Sequence, residues 1–337
     1  MTASGADRKV VLTALKPTGE AHAGNYVGMF RPALSSASEH PEYQFLYFIA
    51  DYHALTKVRD PERFRHLCYD NAAAWIALGL DTHNAILYRQ SDVPEVFELA
   101  WLLSCVTPKG LMNRAHAYKA AVAANRRRSL AEEDAGINMG LYNYPILMAA
   151  DILLFQTDLV PVGKDQVQHV EFARDIAGSF NSAYGPLLKL PQHVVGETIP
   201  GLDGRKMSAS LGNTIPLFAP PEELRKRVYQ VRTDSSAPDA PKDPTTSTLF
   251  LIYEQFATAQ QTQAMRERYL AGRVSWEEAK RELSDILAAS LAGPRRLYHS
   301  LMSDTRQLDE AFAEGGRKAR ALAGPLMERV RKAIGRL

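Results

Sequence analysis

A turn near the amino terminus combines glycines with a lysine and a histidine. It lies in the segment 13–26, TALKPTGEAHAGNY, which follows an apolar run and leads into an apolar-periodic stretch. This succession predicts a strand, a glycine-rich turn and a helix. Glycine allows a ligand to approach the backbone, and the free N–H groups at a helix start favour phosphate. These features are compatible with a phosphate site to which His22 donates. Taken alone, however, the turn fits a polar turn with a solvated histidine better.

A second segment with chemical potential is the loop 204–213, GRKMSASLGN. Its lysine and serines could clamp a triphosphate, because an ammonium group can follow charge as it develops on a phosphoryl group. Taken alone, this segment fits an ordinary surface loop better.

The segments between these motifs alternate between strand and helix patterns. The predicted strands are 10–15, 44–50, 85–88 and 159–162, and the predicted helices are 25 to about 35, 61–77, 94 to about 105, 141–155 and 167–180. Such alternation predicts right-handed βαβ units and a doubly wound parallel sheet, which binds ligands at the carboxyl ends of its strands. The first motif follows a predicted strand and is therefore expected at that edge.

Composition narrows the possible classes of function. The 337 residues include 40 Lys+Arg and 38 Asp+Glu, so a nucleic-acid site would have to be a local patch. The two cysteines cannot alone form a four-ligand zinc site, and their number favours a reducing cytoplasm. Residues 1–8 lack the apolar stretch of a signal peptide, and no apolar run is long enough for a membrane span. We expect a cytoplasmic protein without a membrane anchor.

Taken together, the two motifs resemble those of a known family. HAGN at 22–25 and KMSAS at 206–210 are similar to the ATP signatures of the class I aminoacyl-tRNA synthetases. The segments 144–154 and 160–169 resemble the tryptophanyl-tRNA synthetases of the bacterial type. Further matching segments are 16–19, 51–53, 231–235 and 315–319.

The resemblance implies a domain organisation. We expect a Rossmann-like α/β catalytic domain over 1–220 with an inserted connective segment at about 106–140. A helical region over 221–337 would bind the tRNA anticodon, with its last helix packing back on the body. The spacing of Leu322, Leu326, Val330 and Ile334 predicts the apolar stripe of that helix. The basic run 225–227 is either a tRNA phosphate contact or a solvated helix face.

The resemblance also implies the ligands and the residues that contact ATP. The expected ligands are ATP with Mg²⁺, L-tryptophan and tRNA(Trp), the expected assembly is a homodimer, and no protein metal site is expected. The implied catalytic residues are Lys206, Ser208 and Lys16. The implied ATP contacts are Thr18, Gly19, His22, Gly24, Asn25, Lys206, Met207 and Ser208.

A second implied set forms the tryptophan pocket. Its members are Leu12, Ala14, His53, Tyr144, Met148, Asp151, Val160, Val162 and Gln166. Met148 and Asp151 lie three residues apart and so share a helix face. The family implies that Asp151 accepts the indole N–H and that Gln166 holds the substrate ammonium group.

Several of these residues have structural alternatives. Asp151 could pair with a surface cation, Met148 could be core packing, and Tyr144 either contacts substrate or is a core tyrosine. His169 is expected to support the site or the fold, and Asp165 to cap the helix that follows it.

Two positions depart from the family pattern. Ala209 stands where the second motif usually has its second lysine, so one cationic contact with ATP is missing. Lys164 or the arginine run 126–128 could replace it. Lys16 stands where many relatives carry glutamine, and we hypothesise that it partly offsets Ala209 and alters the tolerance of tryptophan analogues; otherwise it points to solvent. A tyrosine-charging relative and a paralogue with weakened catalysis, acting as a binding protein, stay open as alternatives.

Overall fold

A five-stranded parallel sheet forms the centre of the computed structural model, which describes residues 8–336. The strands are β1 (Val10–Leu15), β2 (Gln44–Ile49), β3 (Ile86–Arg89), β4 (Leu159–Val162) and β5 (Gln192–Val195). Their order in the sheet is β3-β2-β1-β4-β5. The order reverses between β1 and β4, and a crevice for ligands forms at such a switch point.

Four of the strands follow the sequence prediction, and the fifth was missed. β1 and β2 are almost continuously buried because helices cover both faces of the sheet, which explains their apolar runs. All four residues of β5 are exposed, so this edge strand has neither an apolar run nor an alternating pattern.

Helices flank the sheet and continue to the carboxyl end. In the first part of the chain they are α1 (Ala23–Asn25), α2 (Arg31–Glu39), α3 (Asp51–Ala54), α4 (Pro61–Ala77), α5 (Glu95–Val106), α6 (Lys109–Met112), α7 (His116–Arg127), α8 (Met139–Leu153) and α9 (Val167–Tyr184). A π-helical turn, Tyr26–Phe30, joins α1 to α2. The second part contains α10 (Pro221–Tyr229), α11 (Thr248–Phe256), α12 (Ala259–Leu270), α13 (Trp276–Ser290), α14 (Ala292–Ser303) and α15 (Arg306–Ala333).

Local signals explain where α4 begins and ends. The Asp60 carboxylate accepts a hydrogen bond from the Arg63 N–H at 2.7 Å, and Pro61 occupies the first helical position. Gly79 follows the helix with φ +110°, a conformation that favours glycine. Both features agree with the prediction.

The last helix, α15, packs against β3. A Cβ atom added to Gly315 would lie 1.7 Å from the Leu87 carbonyl oxygen, so only glycine allows the two backbones to come this close. The predicted stripe is partly wrong, because Leu322 is exposed and Ala323 is buried in its place. No helix within residues 8–336 is long and apolar enough to cross a membrane.

Candidate active site

A cavity of about 490 Å³ opens at the switch point between β1 and β4. Its wall includes every residue of the predicted tryptophan pocket: Leu12, Ala14, His53, Tyr144, Met148, Asp151, Val160, Val162 and Gln166. These residues come from the strands β1 and β4, from the helices α3 and α8, and from the turn before α9. The fold thus brings together side chains that are far apart in the sequence, in a volume typical of small-molecule pockets.

The Asp151 carboxylate lies at the buried end of this cavity. Asp151 is 2% exposed. Its carboxylate oxygens accept hydrogen bonds from Gln90 Nε2 at 2.8 and 2.9 Å and from His53 Nε2 at 2.9 Å. Burial raises the pKa of Asp151, and the hydrogen bonds from His53 and Gln90 oppose that shift. Asp151 therefore has no surface partner, and it keeps acceptor capacity for a donor in the cavity.

Gln90 is a part of this arrangement that the sequence analysis missed. It is fully buried, in a short turn directly after β3, and it lies behind Asp151 rather than in the cavity wall. Its position just beyond the carboxyl end of a strand was the one signal that pointed to it.

Elsewhere in the cavity wall, His169 links Tyr144 to Gln166. Tyr144 Oη lies 2.8 Å from His169 Nε2, and His169 Nδ1 lies 2.8 Å from Gln166 Oε1. Burial, together with the charges of His53 and His116, lowers the pKa of His169 to about 4, so its ring is neutral near pH 7. Tyr144 and Gln166 both line the cavity, which favours a ligand contact over a purely structural role for Tyr144.

Lys16 also lines this cavity rather than pointing to solvent. Its ammonium group donates to Thr56 Oγ1 at 3.1 Å and lies 5.9 Å from the centre of the Tyr144 ring. Burial and the nearby charge of Lys57 lower the pKa of Lys16 to about 8. The cavity therefore contains a cation that titrates close to physiological pH.

A second cavity, of about 160 Å³, adjoins the first. Both cavities have Gly28, Met29 and Gly163 in their walls. Gly28 and Met29 lie in the π-helical turn, a backbone form that is common at functional sites. The smaller cavity is also lined by His22, Gly24, Asn25, Lys206 and Met207, which belong to the two predicted ATP motifs.

The two motifs contact each other directly. The Gly24 N–H donates to Met207 Sδ at 3.1 Å, and a Cβ atom added to Gly24 would lie 3.1 Å from Met207 Cβ. A Cβ atom added to Gly19 would lie 3.0 Å from Ala209 Cβ. The first turn and the second loop are thus packed together, and the glycines permit that approach.

His22 has a defined protonation state at this junction. Its Nδ1 accepts a hydrogen bond from the Asn25 N–H at 3.3 Å, and burial lowers its pKa to about 4. The proton of the neutral ring is therefore on Nε2, which is the donor that a phosphate oxygen requires.

Lys206 is held by a carboxylate across the smaller cavity. Its Nζ donates to Asp165 Oδ1 at 2.7 Å. Burial alone would raise the pKa of Asp165, but the hydrogen bonds from Lys206 and Gln166 lower it. The expectation that Asp165 caps the next helix is wrong, because the residue before α9 is Gln166 and no side chain caps that helix.

Some predicted residues lie outside the cavity walls. Thr18, Gly19 and Ser208 line neither cavity, and Ser208 Oγ lies 3.0 Å from Ser210 Oγ. Neither Lys164 nor the arginine run 126–128 lines them, and Arg126 is paired with Glu133 at 2.7 Å. Within residues 8–336, no three His, Cys, Asp or Glu side chains are placed to hold a metal ion.

Comparison with known proteins identifies the family. The family model of class I tRNA synthetases (W and Y) matches residues 6–292. Tryptophan–tRNA ligases from Pseudomonas aeruginosa and Neisseria meningitidis are 49% and 48% identical, over 96% and 97% of this chain and 73% and 98% of their own lengths. The crystal structure of tryptophanyl-tRNA synthetase from Campylobacter jejuni, complexed with ADP and tryptophan, has a TM-score of 0.86 at 39% identity. That match covers 97% of this chain and 99% of the other.

The family model, which matches most of the chain, shows that this protein is a class I tRNA synthetase of the tryptophan and tyrosine group, and the parallel sheet is consistent with that class. Within that group, the chain belongs to the tryptophan–tRNA ligase family. A tyrosyl-tRNA synthetase from Archaeoglobus fulgidus, at 19% identity and a TM-score of 0.65, shares the fold alone.

Proposed function

We propose that this chain activates L-tryptophan in the larger cavity and transfers it to tRNA(Trp). The tryptophan carboxylate attacks the α-phosphate of ATP, forming tryptophanyl-adenylate and releasing pyrophosphate. The adenylate then passes its tryptophanyl group to the 3′ end of tRNA and releases AMP. The observation that carries this proposal is the buried Asp151 carboxylate, which faces a cavity that adjoins a phosphate-sized one.

The placement of each substrate group follows from the charges around the cavities. The indole N–H donates to Asp151, while Met148 packs beside the ring. The ammonium group lies at Tyr144 and Gln166. The carboxylate then points to Gly28 and Gly163, where the two cavities meet and the α-phosphate arrives. The lysines 16 and 206 stabilise the charge that develops there.

Positioning and electrostatics supply the rate in this mechanism, since no covalent enzyme intermediate is needed. Lys206, Lys16 and Ser208 are the proposed catalytic residues. Mg²⁺ enters with ATP as part of the substrate and is held mainly by phosphate oxygens.

The second step requires a tRNA surface. Residues 1–220 are proposed as the catalytic domain, with the insertion at about 106–140, and 221–337 as the anticodon-binding region. In that region α10 carries the basic run Arg225–Arg227. Arg225 and Lys226 are both exposed. Because Arg225 lies 5.6 Å from the centre of the Tyr229 ring, Lys226 is the member that we assign to a tRNA phosphate. The proposed compartment is the cytoplasm, in keeping with the two free cysteines.

A second copy of the chain is the proposed partner of an exposed aromatic surface on α5. Trp101 is 71% exposed, and Phe97, one turn earlier, stacks on Tyr52 with ring centroids 4.9 Å apart. Contiguous exposed aromatic side chains are typical of protein interfaces. Light scattering should give twice the chain mass for the wild type and the single mass for Trp101→Glu. A wild-type monomer would contradict the homodimer.

Amino-acid-dependent ATP–pyrophosphate exchange tests the function itself. With MgATP, exchange should depend on tryptophan and not on tyrosine or phenylalanine. Exchange with tyrosine would instead identify a tyrosine-charging enzyme. Tryptophan binding without exchange would favour the paralogue with weakened catalysis that Ala209 leaves open.

A further inference from the structure

A continuous chain of hydrogen bonds connects the larger cavity to the lysine of the second motif. Tyr144 Oη, His169 and Gln166 form its first two links, each 2.8 Å long. Gln166 Nε2 then donates to Asp165 Oδ2 at 3.0 Å, and Lys206 Nζ donates to Asp165 Oδ1 at 2.7 Å. The chain joins the place of the ammonium group to the place of the phosphates.

The direction of every link follows from the chemistry of its atoms. An amide oxygen only accepts, so His169 donates from Nδ1 to Gln166, and its Nε2 accepts the Tyr144 proton. Tyr144 Oη and Gln166 Oε1 therefore both keep acceptor capacity for an ammonium group. The other end of the Gln166 amide donates to Asp165, so this carboxylate receives donors from both cavities.

The ion pair between Asp165 and Lys206 costs little free energy to break. Their side chains are 57% and 52% exposed, and an exposed ion pair contributes little because water competes for both charges. An incoming phosphate can therefore take Lys206 from Asp165, provided that the carboxylate is compensated elsewhere. A substrate ammonium group on Gln166 is the charge placed to do this.

We propose that Asp165 is a positioning residue that makes ATP binding at Lys206 depend on occupancy of the ammonium subsite at Tyr144 and Gln166. This inference rests on the proposed function and concerns the order in which the two substrates bind. Without tryptophan, Asp165 retains Lys206. With tryptophan, the added positive charge weakens that pair, and Lys206 turns to the triphosphate. Because Ala209 replaces the second lysine, Lys206 is the one lysine within 206–210.

Calorimetric titration of the full chain with MgATP tests this coupling. L-Tryptophanamide has the ammonium group but lacks the carboxylate that reacts, and indole-3-propanamide lacks the ammonium group as well. Saturating tryptophanamide should increase the affinity for ATP about fivefold, the upper range for an exposed ion pair. Indole-3-propanamide should leave it unchanged.

Asp165→Asn should abolish this increase while tryptophanamide still binds. Glu197→Gln is the matched control, because Glu197 is an exposed carboxylate in the wall of the same small cavity and makes no ion pair within residues 8–336. Both variants remove one negative charge near the phosphates and should raise the basal ATP affinity. The control alone should keep the fivefold increase. In a Lys206→Met background, Asp165→Asn should change the coupling no further.

A fivefold increase that survives in Asp165→Asn would overturn the role of Asp165 and leave the proposed function intact. The same holds for a wild type that binds tryptophanamide with no gain in ATP affinity. A wild type that binds neither tryptophan nor tryptophanamide would overturn the proposed function and this inference with it.

Discussion

The two ends of the site differ in how firmly the protein holds its charged groups. At the indole end, Asp151 is 2% exposed and fixed by two buried donors, His53 and Gln90. At the phosphate end, Lys206 lies on a loop and shares an exposed pair with Asp165. A buried charge with fixed partners gives selectivity, because removing one partner leaves the others unpaired. An exposed pair costs little to break, which suits groups that must move onto substrate.

Substitution of Lys206, at the phosphate end, is expected to have the largest effect on activity. Lys206→Met should lower kcat for tryptophan-dependent pyrophosphate exchange by about 100- to 1000-fold, the usual cost of losing one donor to developing charge. The KM for tryptophan should rise by no more than about fivefold, because the larger cavity is intact and only the coupling through Asp165 is lost. Arg205→Met is the control, since Arg205 is paired with Asp203 on the same loop at 2.7 Å. A loss below tenfold, or an equal loss in the control, would remove Lys206 from the catalytic residues.

Asp151 tests the opposite end. Asp151→Asn keeps the shape but turns an amide N–H₂ towards Gln90 and His53, which already donate there. The KM for tryptophan should rise about 10- to 100-fold, the value of one hydrogen bond to a charged group. The KM for ATP serves as an internal control and should stay within about threefold of the wild type. A change confined to ATP would contradict the assignment of Asp151 to the indole.

The sequence predicted the cavity wall better than the groups behind it. Residues such as Asp151 and Gln166 follow strand ends or share a helix face with apolar residues, so pattern and family resemblance both indicate them. Gln90 also follows a strand end, but no apolar periodicity or family motif marked it, and its role depends on a contact with Asp151, 61 positions away. The capping role for Asp165 failed for the same reason, since its partner Lys206 is 41 residues distant.

The fold shows the same limit. β5 is an exposed edge strand with little apolar signal, and it was missed. On α15 the close approach to β3 depends on Gly315, while Ala319 and Ala323 are fully buried on the same helix. A count of large apolar residues overlooks such small side chains, and it selected Leu322 instead.

Lys16 lines the larger cavity and not the smaller one, and its titration provides a further test of the comparison between the two ends. Its pKa of about 8 is below the ordinary value of 10.5, so the cation is present at pH 7 and lost as the pH rises through 8. If the cation faces the reacting groups, kcat/KM for tryptophan should fall about tenfold between pH 7 and pH 9. Lys16→Gln should flatten this limb and alter both ATP affinity and inhibition by tryptophan analogues.

Lys57→Gln is the companion variant for this pH profile. Since the charge of Lys57 helps to lower the pKa of Lys16, its removal should move the same limb to higher pH without abolishing it. A limb that persists unchanged in Lys16→Gln would belong to another group, and Lys16 would then have no part in the reaction.

Restoring the missing lysine should have the smallest effect. Ala209 is exposed, so a longer side chain can extend from it into solvent. An exposed cation is screened by water, and Ala209→Lys should raise kcat only about two- to fivefold over Ala209→Gln, which matches its bulk without the charge.

If Lys16 offsets the missing lysine, the gain should be larger in a Lys16→Gln background, because the two cations would then act on the same charge. Equal gains in both backgrounds would show that Lys16 and position 209 act independently. The residues at the indole end would then have assigned roles, while the group that replaces the lost lysine at the phosphate end would have to be another residue of the loop.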